Sequence, residues 1–247
     1  MRLLGGLVPA DLHYKPEFTD PFTGYIFPPE ILEHMREIEL WLDHEKWFRS
    51  KSVPWRRGWL LAGPPGTGKS TLVRALGAKF GLPVHSFDLA SMTNEEFSSY
   101  WRDALQQVPC IALFEDLDTV FHGRENVTKQ SMHRDSLTFE CLLNCLSGVE
   151  PADGIFTIVT TNRMEALDPA LGLPSNGSST RPGRLDRTLT LGLMAERERR
   201  QLAAFILSDT PELIDATVKA GEGDTPAQFQ DRCAQLAQRQ FWKKRSS

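Results

Sequence analysis

The segment Gly63-Pro64-Pro65-Gly66-Thr67-Gly68-Lys69-Ser70 constrains the fold of this chain more than any other. It satisfies every fixed position of G-x-x-x-x-G-K-[ST], a run that works only between a buried strand and a helix. Both flanks are present: Trp59–Ala62 is short and apolar, and Lys69–Phe80 has helical periodicity. Gly66 and Gly68 allow successive backbone N–H groups to turn inward around phosphate oxygens. The N-terminus of the helix adds partial positive charge. Lys69 is expected to reach the β- and γ-phosphates of a nucleotide, and the Ser70 hydroxyl to ligate Mg²⁺. Gly63, Pro64, Pro65, Thr67 and Thr71 complete the expected phosphate-binding set.

Around this loop, apolar strand-like runs alternate with helical ones. Helix Lys69–Phe80 precedes strand Val84–Leu89, helix Asn94–Val108 and strand Cys110–Phe114. Helix Ser136–Leu146, strand Ile155–Thr160 and a short strand at Thr188–Leu191 follow. Such alternation with fully apolar strands implies a parallel sheet covered on both faces. Before it, residues 1–57 read as a Pro-rich arm with one short strand near Tyr25–Phe27, then a helix over Pro28–Phe48 carrying Ile31, Met35, Ile38 and Leu42 on one face. After it, residues 194–247 read as a small helical subdomain. Its helices start at Ala195, Thr210-Pro211 and Thr225-Pro226, the last with Gln228 placed to close a capping box.

Two strand ends carry chemistry. Cys110–Phe114 runs into Glu115-Asp116-Leu117-Asp118, at the edge where open α/β sheets bind ligands. One carboxylate is expected in the Mg²⁺ shell and the next beside the attacking water. Strand Ile155–Thr160 ends in Thr161-Asn162, an amide placed to orient that water. Further on, Arg181-Pro182-Gly183-Arg184 sets two guanidinium groups on a Pro-Gly turn, where an arginine stabilises charge on a transferred phosphoryl group.

Composition narrows the classes. The 247 residues carry 28 Lys+Arg against 32 Asp+Glu, a net charge of −4 that argues against a global field for nucleic acid. Basic clusters at Lys46–Arg57 and Arg239–Arg245 read as a solvated helix face and an ordinary basic tail. No apolar run approaches the roughly 20 residues of a membrane span, and no targeting segment is evident, so the chain is expected to be cytoplasmic. Cys110, Cys141, Cys145 and Cys233 form no CxxC pair and read as free thiols.

The ordered set GPPGTGKS, ALFEDLD, TTN, DPAL and RPGRLD resembles the AAA family of ring-forming ATPases over about residues 58–193. The resemblance implies a P-loop NTPase three-layer α/β sandwich with a C-terminal helical lid, binding ATP and Mg²⁺. A finer resemblance is to BCS-type AAA ATPases. It rests on Val53-Pro54-Trp55-Arg56-Arg57-Gly58-Trp59, on the acid order Glu-Asp, on the helix Leu137–Asn144 and on the lid start Thr225–Gln228. By resemblance, Glu115 and Asp116 take the two Walker B places, with Ser70 and Glu115 on the metal and Asp116 as the base. Asn162 is the first sensor, and Arg181 and Arg184 are arginine fingers acting on a neighbour's nucleotide. A homo-oligomeric ring of six or seven subunits and a protein client follow; a nucleic-acid-associated ATPase and a slow-turnover nucleotide-gated scaffold are the rival readings.

Three departures qualify the resemblance. The inverted acid order moves each carboxylate by a methylene, about 1.5 Å, where a misplacement of about 1 Å costs roughly 100-fold in rate. Gly172–Thr180 inserts nine residues before the arginine turn, and Ala90–Thr93 lacks the aromatic residue of threading pores. BCS-type chaperones also carry a membrane segment and a further domain that this sequence does not display, so their membrane role is not expected to transfer.

Overall fold

Strands buried along their whole length set the architecture, because such a strand must be covered on both sides. The computed structural model describes residues 7–8, 20–128, 136–147, 152–172, 174–175, 178–179 and 184–245. Its strands are β1 (Leu7–Val8), β2 (Arg57–Ala62), β3 (Val84–Phe87), β4 (Cys110–Phe114), β5 (Phe121–His122), β6 (Glu125–Asn126), β7 (Ile155–Thr161), β8 (Pro174–Ser175), β9 (Ser178–Ser179) and β10 (Arg187–Thr190). The helices are α1 (Pro29–Asp43), α2 (Glu45–Ser50), α3 (Lys69–Phe80), α4 (Asn94–Leu105), α5 (Leu117–Val120), α6 (Phe139–Ser147), α7 (Glu196–Ile206), α8 (Ile214–Ala220) and α9 (Pro226–Arg245).

The main sheet has the order β1-β3-β4-β7-β2-β10. Its five long-range pairings are parallel except β1 on β3, which is antiparallel. Every residue of β4 and β7 is buried, including Thr157, Thr160 and Thr161 of β7. The α/β sandwich inferred from the alternating pattern is the observed fold. Two-residue hairpins β5–β6 and β8–β9 lie outside the sheet.

Each face of the sheet has its own core. On one, Phe87, Phe97, Trp101 and Phe114 stack under α4 and α6. On the other, α1 and α3 bring Ile31, Ile38, Trp41, Leu72 and Leu76 onto Trp59 and Phe156. At about 1.5–3 kcal/mol per fully buried large side chain, α1 is an integral part of the second layer. A third cluster, built on Leu202, Leu207, Val218, Phe229 and Cys233, holds the C-terminal helices together. The four cysteines are free, and burial pushes the Cys110 and Cys233 thiols up to about 12 and about 11.

The expected elements form with local adjustments. Tyr25–Phe27 is not a strand: a turn over Asp20–Gly24, with Asp20 Oδ1 accepting from Phe22 N–H at 3.0 Å, leads this segment between the glycine-rich loop and the C-terminal helices. The helix expected over Pro28–Phe48 breaks at His44, whose Nδ1 donates to Leu40 O at 2.9 Å. The helix expected to reach Val108 ends at Leu105, short of Pro109, whose ring disfavours a helical residue before it. The helix expected from Ser136 begins at Phe139, because Leu137 N–H is engaged by Met92 O at 3.1 Å.

Two features tie the sheet to its functional edge. Asp118, 1% exposed, accepts from Thr161 Oγ1 at 2.9 Å, from Asn162 N–H at 3.0 Å and from Arg163 Nε at 3.3 Å. It therefore staples the segment after β4 to the end of β7. At the opposite edge, Gly58 lies so close to the turn before β10 that a Cβ would fall 1.6 Å from Arg184 O.

Gly58→Ala should accordingly displace that backbone and cost about 3 kcal/mol in chemical denaturation. Asp118→Ala should cost a similar amount, about 3 kcal/mol at neutral pH, by leaving its buried donors without an acceptor. Burial works to raise the Asp118 pKa, but its N–H and hydroxyl donors and Arg163 outweigh it and hold it below the usual carboxylate value. Its stabilisation is thus complete above about pH 3.9 and lost as pH falls through the lower folded-state value. Denaturation at a series of pH values should show a shallower acid limb in the variant.

A nucleotide-binding site at the carboxyl edge of the sheet

Strand register brings the site together. Ala62 pairs with Thr161, so β2 and β7 end together, and Phe114 pairs with Val159, so the two residues after β4, Glu115 and Asp116, run on toward the level of those ends. The glycine-rich loop leaves β2 beside Asn162, with Gly63 N–H donating to Thr161 O at 3.2 Å. Glu115 and Asp116 leave β4 on the other side, and Asp116 N–H donates to Thr160 Oγ1 at 2.8 Å.

Gly66 and Gly68 hold φ of +80° and +93°, left-handed values that L side chains rarely adopt. Thr67 Oγ1 donates to Pro64 O at 2.9 Å and closes the loop on itself. Gly68 ends the loop and leads directly into α3. A cradle of glycines at a helix N-terminus fits polyphosphate.

Lys69 is 7% exposed, and its Nζ donates to Gly63 O at 2.7 Å, Pro64 O at 3.1 Å and Asn162 Oδ1 at 2.8 Å. Burial lowers its pKa, while the charges of Asp116 and Asp118 act the other way. Asn162 Nδ2 in turn donates to Asp116 Oδ1 at 3.1 Å. Ser70 Oγ donates to Glu115 Oε1 at 2.5 Å. The acids thus separate by partner: Glu115 reaches the Ser70 hydroxyl, and Asp116 reaches the Asn162 amide. A hydroxyl beside a carboxylate is a hard-oxygen set that suits Mg²⁺ completed by phosphate oxygens and water. No cluster of three or more His, Cys, Asp or Glu able to hold a metal occurs among the described residues.

The C-terminal helices close the site. Ala227 N–H donates to Gly66 O at 3.0 Å. Thr225 and Gln228 form the reciprocal cap foreseen for α9, at 2.8 and 3.3 Å. A cavity of about 310 Å³ lies between loop and helices, lined by Pro65–Thr71, Asp116 and Asn162 at one end and by Gly24–Phe27, Met194, Leu202 and Ala227 at the other.

The structure therefore brings Gly63–Thr71, Glu115, Asp116 and Asn162 together. Arg184 lies apart from them: it is 7% exposed and its Nη1 donates to Ala170 O within its own chain. Arg181 falls outside the described residues. Sequence reasoning missed Asp118 and the Gly24–Phe27 wall. The first carried a signal, an acid two residues beyond Asp116 facing a Thr-Thr strand end. The second carried none, since its role depends on how the arm crosses the loop.

A family model described as "ATPase family associated with various cellular activities (AAA)" matches residues 59–193, more than half of the chain. Mitochondrial chaperone BCS1 of Homo sapiens is 34% identical over 209 residues, covering 79% of this chain and 47% of that protein. Probable mitochondrial chaperone bcs1 of Schizosaccharomyces pombe is 33% identical over 183 residues, 72% of this chain and 38% of its own length. ATP-dependent zinc metalloprotease FtsH 1 of Conexibacter woesei is 32% identical over 204 residues, 80% of this chain and 30% of its own. The chain thus spans half or less of these relatives. Among the described residues, no helix is long and apolar enough to cross a membrane. On its glycine-rich loop, its acidic strand end and this match, the chain belongs to the AAA family of ATPases.

Proposed function

We propose that the chain hydrolyses ATP with Mg²⁺, as a subunit of a homo-oligomeric ring that remodels a protein client. The observation that carries the reading is the unbroken hydrogen-bond path Lys69–Asn162–Asp116 beside the Ser70–Glu115 pair. It supports Lys69 as the cation for the β- and γ-phosphates, Asp116 as the carboxylate for water, and Ser70 with Glu115 as the metal-binding pair.

Each residue has a distinct task. The loop amides and Lys69 bind and orient the phosphates. Ser70 and Glu115 would hold Mg²⁺, which when bound would supply charge neutralisation on the phosphate oxygens. Asp116 accepts the proton of the attacking water, and Asn162, held by Lys69 on one side and Asp116 on the other, fixes where that water sits. An arginine of the Arg181–Arg184 turn, reaching into the neighbouring subunit, stabilises charge on the transferred phosphoryl group. The buried position of Arg184 in its own chain favours Arg181 for that task.

A protein client is supported by the printed names of the relatives, chaperones and a metalloprotease, and by the net charge of −4. The Ala90–Thr93 loop is tied down by a buried Met92 and the Thr93 cap on α4, which speaks for remodelling rather than threading of an extended chain.

Two variants separate binding from chemistry. Lys69→Ala should abolish ATP binding in equilibrium titration, and undiminished affinity would remove the loop assignment. Asp116→Asn should bind ATP normally yet release phosphate about 100-fold more slowly or worse; turnover near the wild-type rate would pass the base role to Glu115.

A further inference from the structure

Helix α9 outruns the core that holds it. Its members of the third cluster are Phe229, Cys233, Leu236 and Ala237, yet the helix continues eight residues further, to Arg245. At 1.5 Å per residue that extension is about 12 Å long. On it, Phe241 and Trp242 are 48% and 62% exposed. Single exposed apolar side chains are ordinary, but two adjacent large rings at one helix end make a patch.

The patch is set among positive charges. Arg239 precedes Trp242 by three positions and Arg245 follows it by three, so both share its side of the helix. Arg239, Lys243 and Arg245 are exposed. Lys244 adds a fourth positive charge by sequence, and no acid follows Asp231. In a chain of net charge −4, this is a local field of opposite sign.

The rings are already arranged. Their centroids stand 5.4 Å apart with the planes at 73°, edge to face, and the Arg245 guanidinium lies 4.4 Å from the centroid of Phe241. A nucleic-acid base needs an open ring face on which to stack, and here Arg245 covers one face of Phe241. An interfacial lipid layer takes such a cluster as it stands. Aromatic rings settle at headgroup level, while guanidinium and ammonium groups meet anionic headgroups.

We propose that the last two turns of α9 form a docking site for an anionic lipid surface, with Phe241 and Trp242 in the headgroup layer and Arg239, Lys243 and Arg245 against its negative charges. An extension of eight residues is too short to cross a bilayer, so the contact is peripheral. The nucleotide site stays clear of it. Ala227, which bonds Gly66, lies fourteen residues before Phe241 on the same helix, about 21 Å along the axis.

Vesicle flotation tests this on the whole chain. Vesicles of equal parts phosphatidylserine and phosphatidylcholine should bind it about tenfold more strongly, or better, than phosphatidylcholine alone, and added salt should weaken that binding. Lys243→Gln with Arg245→Gln should lower the affinity about twentyfold, near fivefold for each charge. Phe241→Ser with Trp242→Ser should lower it about tenfold or more. Lys46→Gln with Lys51→Gln removes two exposed charges elsewhere and should leave it within about twofold. All three variants should keep the ATP affinity and the helical circular dichroism of the wild type. Failure to bind the anionic vesicles, equal binding to both kinds, or undiminished binding after the ring substitutions overturns the proposal. So does an equal loss in the Lys46 and Lys51 variant, which would assign the attraction to charge in general. Binding to a single-stranded oligonucleotide that the ring substitutions abolish, without binding to vesicles, would replace the lipid surface by nucleic acid.

Discussion

The pairing of β7 between β4 and β2 is the constraint on which everything else rests. β2 and β7 end together and the two residues after β4 run on toward that level, so the residues at these three strand ends form a single row. That row is Glu115-Asp116, Thr161-Asn162 and the opening of the glycine-rich loop. A shift of one residue in β7 would turn Asn162 to the other face and break both of its side-chain hydrogen bonds, to Lys69 and to Asp116. Asp118 guards against that shift, since it binds both the side chain of Thr161 and the main chain of Asn162.

Much of this was legible in the amino-acid sequence, and the reasons are local. The glycine-rich loop needs no tertiary context to declare a strand before it and a helix after it; α3 begins and ends where the periodicity says. β4 likewise coincides with its apolar run. The α9 cap follows from Thr225, Pro226 and Gln228 alone. What stayed hidden depends on contacts between distant segments. Nothing in Gly24–Phe27 announces that it crosses the loop, and its aromatic residues favour a strand reading as readily. His44 interrupts a helical pattern by a bond to its own preceding turn, which periodicity does not register. The depth of Arg184 is set by Gly58, 126 positions earlier in the chain.

The arm and the C-terminal helices both meet the loop. The arm contributes Phe27, whose ring carbon would stand 3.6 Å from a Cβ on Gly68, and the C-terminal helices contribute Ala227, bonded to Gly66. The loop is therefore held at two neighbouring glycines by two elements that are far apart in sequence. Gly24 meets the ring of Phe205 on α7 as well, so arm and C-terminal helices also touch each other.

Asp116 adopts a left-handed backbone, with φ of 45° and ψ of 49°. Asn and Asp enter that region more readily than other side-chain-bearing residues, whereas a residue with a longer or branched side chain enters it at a cost of roughly 1–2 kcal/mol. The two acids are thus matched to different demands: the shorter one sits on the left-handed backbone, and the longer one reaches from the first place to the Ser70 hydroxyl.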